Sequence, residues 1–296
     1  MKMIANKFFF GLTIGLLVVS VSTVIIINCD FVHNKKTTPQ TDPIDHAGNP
    51  DMHEKTVQSA NTASPETVIP ENQENINSKP QNEIIDKKVP ILYYHAINDE
   101  TYGLQQLFVR PSEFEKQMEY ISTNYTPIHF NQLRNINEIA NPIIITLDDG
   151  YRDNYTNAFP IFKKYNIKAT IFLVPEYLNK PGYLSKNHIE EMKQLISFQS
   201  HTMTHKELDT LSIGEIDEQV KNSKQFIEQI TNQNVNVLCY PVGKYNDKVI
   251  NIVKKYYDYA VTTQYGFYNE QDDKYKIKRI YVKRDDGFET YVRKLK

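Results

Sequence analysis

Seven short apolar runs recur between Ile91 and Val282, each rich in β-branched or aromatic residues and bounded by turn formers. They are Ile91–Tyr94, Ile143–Leu147, Ala169–Val174, Ile196–Gln199, Val235–Tyr240, Tyr259–Thr262 and Ile277–Val282. Runs of this length and composition read as strands. Amphipathic stretches lie between them, at Ser112–Ile121, at Asn157–Tyr165 and from Ser212 onward. At the last of these, Ser212 and Glu215 are spaced as a capping box. Ile213, Ile216, Val220, Ile227 and Ile230 then fall largely on one helical face. Strand–helix alternation sustained this far specifies an α/β fold with a parallel sheet, open or closed into a barrel. The stretch from Val89 to the C-terminus is long enough for one sizeable core. In such folds the chemistry gathers at the C-terminal ends of the strands.

The first 88 residues are different material. Phe8 to Ile27 is a run of twenty residues without a charge, preceded by Lys2 and Lys7. Roughly twenty apolar residues span a bilayer as a helix, and the lysines favour a cytoplasmic N-terminus. The run exceeds the usual core of a cleaved signal peptide, and no small-x-small cleavage site follows it. Residues 1–30 are therefore expected to be an uncleaved signal anchor. A lipoprotein signal lipidated at Cys29 and a cleaved signal are the alternatives. All three place the rest of the chain outside the cytoplasm, as an extracellular domain at the cell membrane. Residues 31–88 hold six of the fourteen prolines and a single aromatic, Phe31. Such a segment cannot bury enough apolar surface to offset chain entropy, so a disordered linker is expected. The 34 Lys+Arg and 36 Asp+Glu nearly balance, which leaves no electrostatic case for nucleic acid. Two cysteines, Cys29 and Cys239, indicate no disulfide framework.

Two strand ends carry the candidate chemistry. The run Pro142–Thr146 leads straight into Leu147-Asp148-Asp149-Gly150. Asp-Asp-Gly is an ordinary turn sequence, but paired carboxylates can also divide labour, one binding a metal while its neighbour acts as a general base. After the run Ile196–Gln199 comes His201-Thr202-Met203-Thr204-His205. Two histidines four apart can grip one ion. No Glu follows the first of them, so this is not the metalloprotease H-E-x-x-H pattern. With Asp149 they make one carboxylate and two imidazoles, a facial set that leaves positions open for water and substrate. One divalent ion is expected there. Zinc is favoured, and iron, nickel, cobalt or manganese also suit the donors.

Thr146-Leu147-Asp148-Asp149-Gly150, then His201–His205, then Cys239-Tyr240-Pro241-Val242-Gly243 together resemble the polysaccharide deacetylase family, carbohydrate esterase family 4, with its NodB-homology domain. The resemblance covers residues 89–296 and implies a distorted (β/α)7 barrel and metal-assisted removal of acetyl groups. It implies Asp148 as general base and Asp149, His201 and His205 as metal ligands. It also implies the backbone N–H of Val242 as an oxyanion donor. Cys239 stands where the family often has Arg. The chain has no tryptophan for the family's Trp-containing motif, and no histidine follows His205 to act as general acid. Leu92-Tyr93-Tyr94-His95, Pro111–Met118 and Arg279–Phe288 resemble the subgroup that acts on the poly-β-1,6-N-acetylglucosamine of biofilms. That likeness implies His95 as general acid and Arg279 as the residue orienting Asp148. Tyr93, Tyr94 and Tyr240 are candidates to stack on sugar rings, with core packing as the other use. His129 and His188 read as surface or packing residues.

The expected activity is thus N-deacetylation of an extracellular N-acetylglucosamine polymer, with acetate released. Alternatives are the same chemistry on peptidoglycan or chitin oligomers, O-deacetylation, and a non-catalytic surface protein that binds glycan on a deacetylase scaffold.

Overall fold

The computed structural model describes residues 87–296. The anchor expected at 1–30, and the linker expected at 31–88 save its last two residues, lie outside the described residues. Among those described, no helix is long and apolar enough to cross a membrane.

Seven parallel strands close into a barrel: β1 (Ile91–Tyr94), β2 (Pro142–Asp149), β3 (Ala169–Leu173), β4 (Ile196–Ser200), β5 (Val237–Cys239), β6 (Tyr259–Tyr265) and β7 (Ile277–Tyr281). Each pairs with its successor, and β1 pairs with both β2 and β7, so the ring has no open edge. Every expected strand is present, shifted at its ends by at most three residues. Short strands Ala96–Ile97 and Phe108–Val109 pair beside the β1 exit, and Thr126–Pro127 extends the sheet next to β2. Helices α1 (Pro111–Asn124), α2 (Phe159–Tyr165), α3 (Lys186–Met192), α4 (Ile213–Thr231), α5 (Asp247–Val253) and α6 (Phe288–Lys294) complete the crossovers and the C-terminus. No helix bridges β6 and β7; residues 266–276 make that connection as a loop, which accounts for part of the barrel's irregularity.

Strand alternation sorts the side chains into two apolar clusters. Ile91, Ile144, Phe172, Val237, Cys239, Tyr259, Val261 and Ile277 fill the barrel lumen. Their strand neighbours Leu92, Ile145, Ile171, Phe198, Leu238, Ala260 and Ile280 face the helices. Local chemistry sets the helix ends. Ser212 accepts the Glu215 N–H and Glu215 closes the box on Ser212, the reciprocal cap that the sequence predicts for α4. Pro111 starts α1, where its missing N–H costs nothing, and Asn166 and Asn232 end α2 and α4 in the left-handed conformation.

A charged pair lies at the top of the lumen. Thr146 and Asp148 alternate inward on β2, and Arg279 enters from β7. All five guanidinium N–H groups are used. Nε donates to the Thr262 carbonyl at 2.9 Å, and one terminal nitrogen donates to Thr146 Oγ1 at 3.0 Å and Asp148 Oδ1 at 2.8 Å. The other donates to Asp148 Oδ2 at 2.8 Å and Cys239 Sγ at 3.1 Å. The guanidinium also lies over the Tyr93 ring at 4.3 Å. Burial alone would raise the Asp148 carboxyl. The charge and paired hydrogen bonds of Arg279 outweigh it and hold the group well below the usual carboxylate range.

Removing one partner of such a pair leaves a buried charge uncompensated. Arg279→Met should destabilise the domain by about 3–5 kcal/mol, and Arg279→Met with Asp148→Leu should recover most of that loss, as read by denaturant unfolding. A depressed folded-state pKa contributes stability that is full above the unfolded carboxylate value of ~3.9 and is lost as pH falls below it. The gap between wild type and Asp148→Asn should accordingly narrow only below about pH 4.

Candidate active site

Adjacent residues on a strand point to opposite faces, so Asp148 and Asp149 would ordinarily face apart. The chain turns immediately at the end of β2. Asp149 has φ 74° and Gly150 φ 72°, both left-handed. The left-handed φ favours glycine at 150, and a Cβ there would also press on the Leu173 side chain, 2.8 Å from its Cδ2. The turn brings the Asp149 carboxylate back over the barrel mouth, beside Asp148. Thr202, His205 and Val242 are also left-handed, at φ 65°, 60° and 56°. Strained backbone of this kind gathers where side chains must be aimed at one point.

His201 and His205 follow β4. Their Nε2 atoms lie 3.5 Å and 3.3 Å from Asp149 Oδ1. His201 Nδ1 lies 2.8 Å from the Cys239 carbonyl, which can only accept, so Nδ1 carries the proton and Nε2 presents a lone pair to the site. Burial lowers the His201 pKa to about 3 and also lowers that of His205, so both rings are neutral near pH 7. Asp149 Oδ1 is buried and has no hydrogen-bond partner. The His201 lone pair, the His205 Nε2 atom and an unpartnered carboxylate oxygen thus converge. Burial pushes the Asp149 pKa up to about 6, whereas a divalent cation at that point would favour the ionised carboxylate. The donor set therefore fits a cation of the zinc or first-row type.

A second trio, Asp148, His201 and Cys239, also lies within liganding distance of itself. It suits a cation poorly. Asp148 is occupied by the Arg279 fork. Burial raises the Cys239 thiol well above its ordinary pKa and keeps it protonated.

His95 stands at the exit of β1, partly buried, with Nδ1 unpartnered. Its ring meets those of Tyr93 and Tyr281 edge-on, at 6.0 and 6.1 Å. It lines a cleft of about 560 Å³ with Tyr93, Gln106, Val242, Thr263 and Tyr281. Val242 is 57% exposed there, on a turn in which Gly243 approaches Thr263 too closely for any Cβ.

The aromatic candidates divide. Tyr93 stacks on Tyr281, with centroids 4.8 Å apart, and borders the cleft. Tyr94 and Tyr240 are wholly buried on the helix-facing side of the sheet. The Tyr240 hydroxyl donates to the Tyr275 carbonyl and the ring stacks on Tyr245. No sugar reaches either ring, which corrects the stacking role expected for Tyr240 and Tyr94. Among the described residues the remaining histidines pack: His188 stacks on Tyr155 at 4.2 Å, and burial lowers His129 to about 4.

Sequence reasoning missed the groups that hold the site in place. Asp153 Oδ1 accepts the Ile97 N–H and Asn154 Nδ2 donates to the His95 carbonyl, so together they hold the backbone on both sides of the β1 exit. Asp153 caps and Asn154 begins a single π-helical turn, Asn154–Ala158, a deviation common near functional sites. Burial and the nearby Asp149 carboxylate raise the Tyr151 phenol above its ordinary pKa. The only signal for Tyr151 was its position two residues after the acidic pair.

The family model for polysaccharide deacetylase matches residues 136–260. YxkH of Bacillus subtilis, a protein assigned to the polysaccharide deacetylases, is 32% identical over 222 residues, covering 71% of this chain and 77% of its own. A poly-β-1,6-N-acetyl-D-glucosamine N-deacetylase of Staphylococcus epidermidis is 28% identical over 231 residues, covering 71% and 79% respectively. The crystal structure of a polysaccharide deacetylase from Bacillus cereus superposes with a TM-score of 0.68 at 35% identity, covering 71% of this chain and 70% of that one. Sequence likeness at this level across most of both chains, on the same barrel, leaves one assignment: the chain belongs to the polysaccharide deacetylase family, hydrolases that cleave amide bonds.

Proposed function

We propose that this polysaccharide deacetylase removes acetyl groups from an extracellular N-acetylglucosamine polymer, β-1,6-linked in preference to β-1,4-linked, using one divalent metal ion, zinc in the first instance. The observation that carries the reading is the meeting of Asp149 Oδ1 with the His201 and His205 Nε2 atoms beside a carboxylate, Asp148, that Arg279 keeps ionised. The likeness to the Staphylococcus epidermidis enzyme, which is named for that polymer, supports the linkage. So does a histidine at the β1 exit in a chain with none after His205. The uncharged Phe8–Ile27 run supports a single-pass anchor with the catalytic domain outside the cell.

Asp149, His201 and His205 would hold the ion. When bound, a divalent cation supplies Lewis acidity that polarises the acetamide carbonyl and makes an attacking water acidic enough for a weak base. Asp148 accepts the water proton; the two hydrogen bonds from Arg279 leave lone pairs free on its oxygens and set their direction. The Val242 N–H donates to the carbonyl oxygen as negative charge develops there. His95 delivers a proton to the leaving nitrogen, because an amine cannot depart as its anion. Acetate leaves, and the polymer keeps an amine that is cationic near neutral pH. That gain of charge would alter how the polymer adheres to anionic surfaces.

The direct test is acetate release from β-1,6- and β-1,4-linked N-acetylglucosamine oligomers. Wild type should release acetate, faster from the β-1,6 series, and lose the activity to a chelator. Asp148→Asn should lose about 10²–10⁴-fold in kcat, the contribution of a general base. No acetate from either series with metal bound would overturn the reading. His95→Ala should lose about 10²–10⁴-fold on the amide but only a few-fold on an aryl acetate ester, whose phenolate departs without a proton. Equal losses on both substrates would remove His95 from the acid role.

A further inference from the structure

Four tyrosines beside the candidate metal site belong to neither apolar cluster. Tyr102, Tyr151, Tyr177 and Tyr183 are half-buried or exposed, and none packs against the lumen core or the outer core. They form a continuous file of rings instead. Tyr177 lies 6.2 Å from the His205 ring, Tyr183 lies 4.7 Å from Tyr177, and Tyr151 stacks on Tyr183 at 5.3 Å with 17° between the planes. Tyr102 extends the file, 6.4 Å from Tyr151, and is 52% exposed.

The backbone holds this file in position. Tyr151 and Tyr183 face each other across an antiparallel bridge, flanked by the Arg152 N–H to Gly182 carbonyl bond at 2.8 Å and the Leu184 N–H to Gly150 carbonyl bond at 2.9 Å. Gly182, at φ 86°, makes the turn that lets segment 182–184 return against segment 150–152. Tyr177 sits in the turn Pro175–Tyr177 that follows β3. Tyr151, Tyr177 and Tyr183 therefore stand on the loops after β2 and β3, and Tyr102 joins them from the segment after β1, which also carries His95 and Leu104 of the neighbouring cleft. The contact of Tyr177 with the His205 ring and the place of Tyr151 two residues after Asp149 set the file at the rim of the same mouth.

The file is footed on buried Phe108, against which Tyr102 packs at 4.7 Å, and its half-exposed rings on a preordered backbone reach toward the reacting centre. That suits one class of ligand, a chain of pyranose rings, whose apolar C–H faces lie on aromatic faces while hydroxyls stay in water. We propose that the Tyr177–Tyr183–Tyr151–Tyr102 file is a glycan platform that binds sugar units beyond the one being deacetylated. It makes the enzyme selective for polymer over short oligomers. The inference rests on the proposed glycan substrate but not on turnover.

Calorimetry on the full chain tests it, with β-1,6-linked N-acetylglucosamine dimer and hexamer as probes. Tyr183→Ala and, at an exposed position away from the metal ligands, Tyr102→Ala should each weaken hexamer binding by roughly 5–10-fold and leave dimer binding within about twofold. Tyr183→Phe, which keeps the ring, should bind the hexamer as wild type does. Unchanged hexamer affinity in both alanine variants, equal weakening of dimer and hexamer, or no hexamer binding by wild type would each overturn the platform. Acetate release is scored separately. Length-dependent binding without acetate would sink the catalytic reading and leave the platform standing.

Discussion

The buried pair between Asp148 and Arg279 is the constraint around which the mouth of this barrel is organised. A lone carboxylate at that depth would take up a proton. Arg279 prevents this with charge and a two-pronged hydrogen bond, and each of its remaining donors finds Thr262, Thr146 or Cys239. Four strands, β2, β5, β6 and β7, are tied together by one guanidinium. Cys239 belongs to this network through its thiol, while its carbonyl fixes the tautomer of His201. The side chain that keeps the base ionised and the backbone that orients a metal ligand thus meet at one residue.

Two neighbouring aspartates serve opposite ends of the site because the backbone changes hand between them. Asp148 obeys the strand and points into the lumen. Asp149, in the left-handed region, leaves the strand and faces the two imidazoles. The environments then separate the two carboxyls: Arg279 depresses one, and burial raises the other to about 6. Divergent environments for adjacent titratable groups are how one segment supplies both a base and a ligand.

The strands, the α4 cap and the pairing of Asp149 with His201 and His205 were legible in the sequence because each is a local pattern: β-branched runs, Ser-x-x-Glu, and polar residues directly after an apolar strand. Helices α3, α5 and α6, seven residues each, were not. Strand parity held an unused signal for Tyr240. Cys239 faces the lumen, so its neighbour must face the helices, and the stacking role assigned from composition conflicts with that alternation. Asp153, Asn154 and the tyrosine file were invisible for another reason. Their roles depend on loops from different strands meeting in space, and no sequence interval encodes that distance.

Metal stoichiometry in purified variants tests the central claim, that Asp149, His201 and His205 form one cation site distinct from the Asp148–Arg279 pair. Elemental analysis of the full chain should find one divalent ion per molecule in wild type, in Asp148→Asn and in Cys239→Ser, and almost none in Asp149→Ala or His205→Ala. An ion retained after Asp149→Ala, or lost on Cys239→Ser alone in a folded protein, would contradict the account.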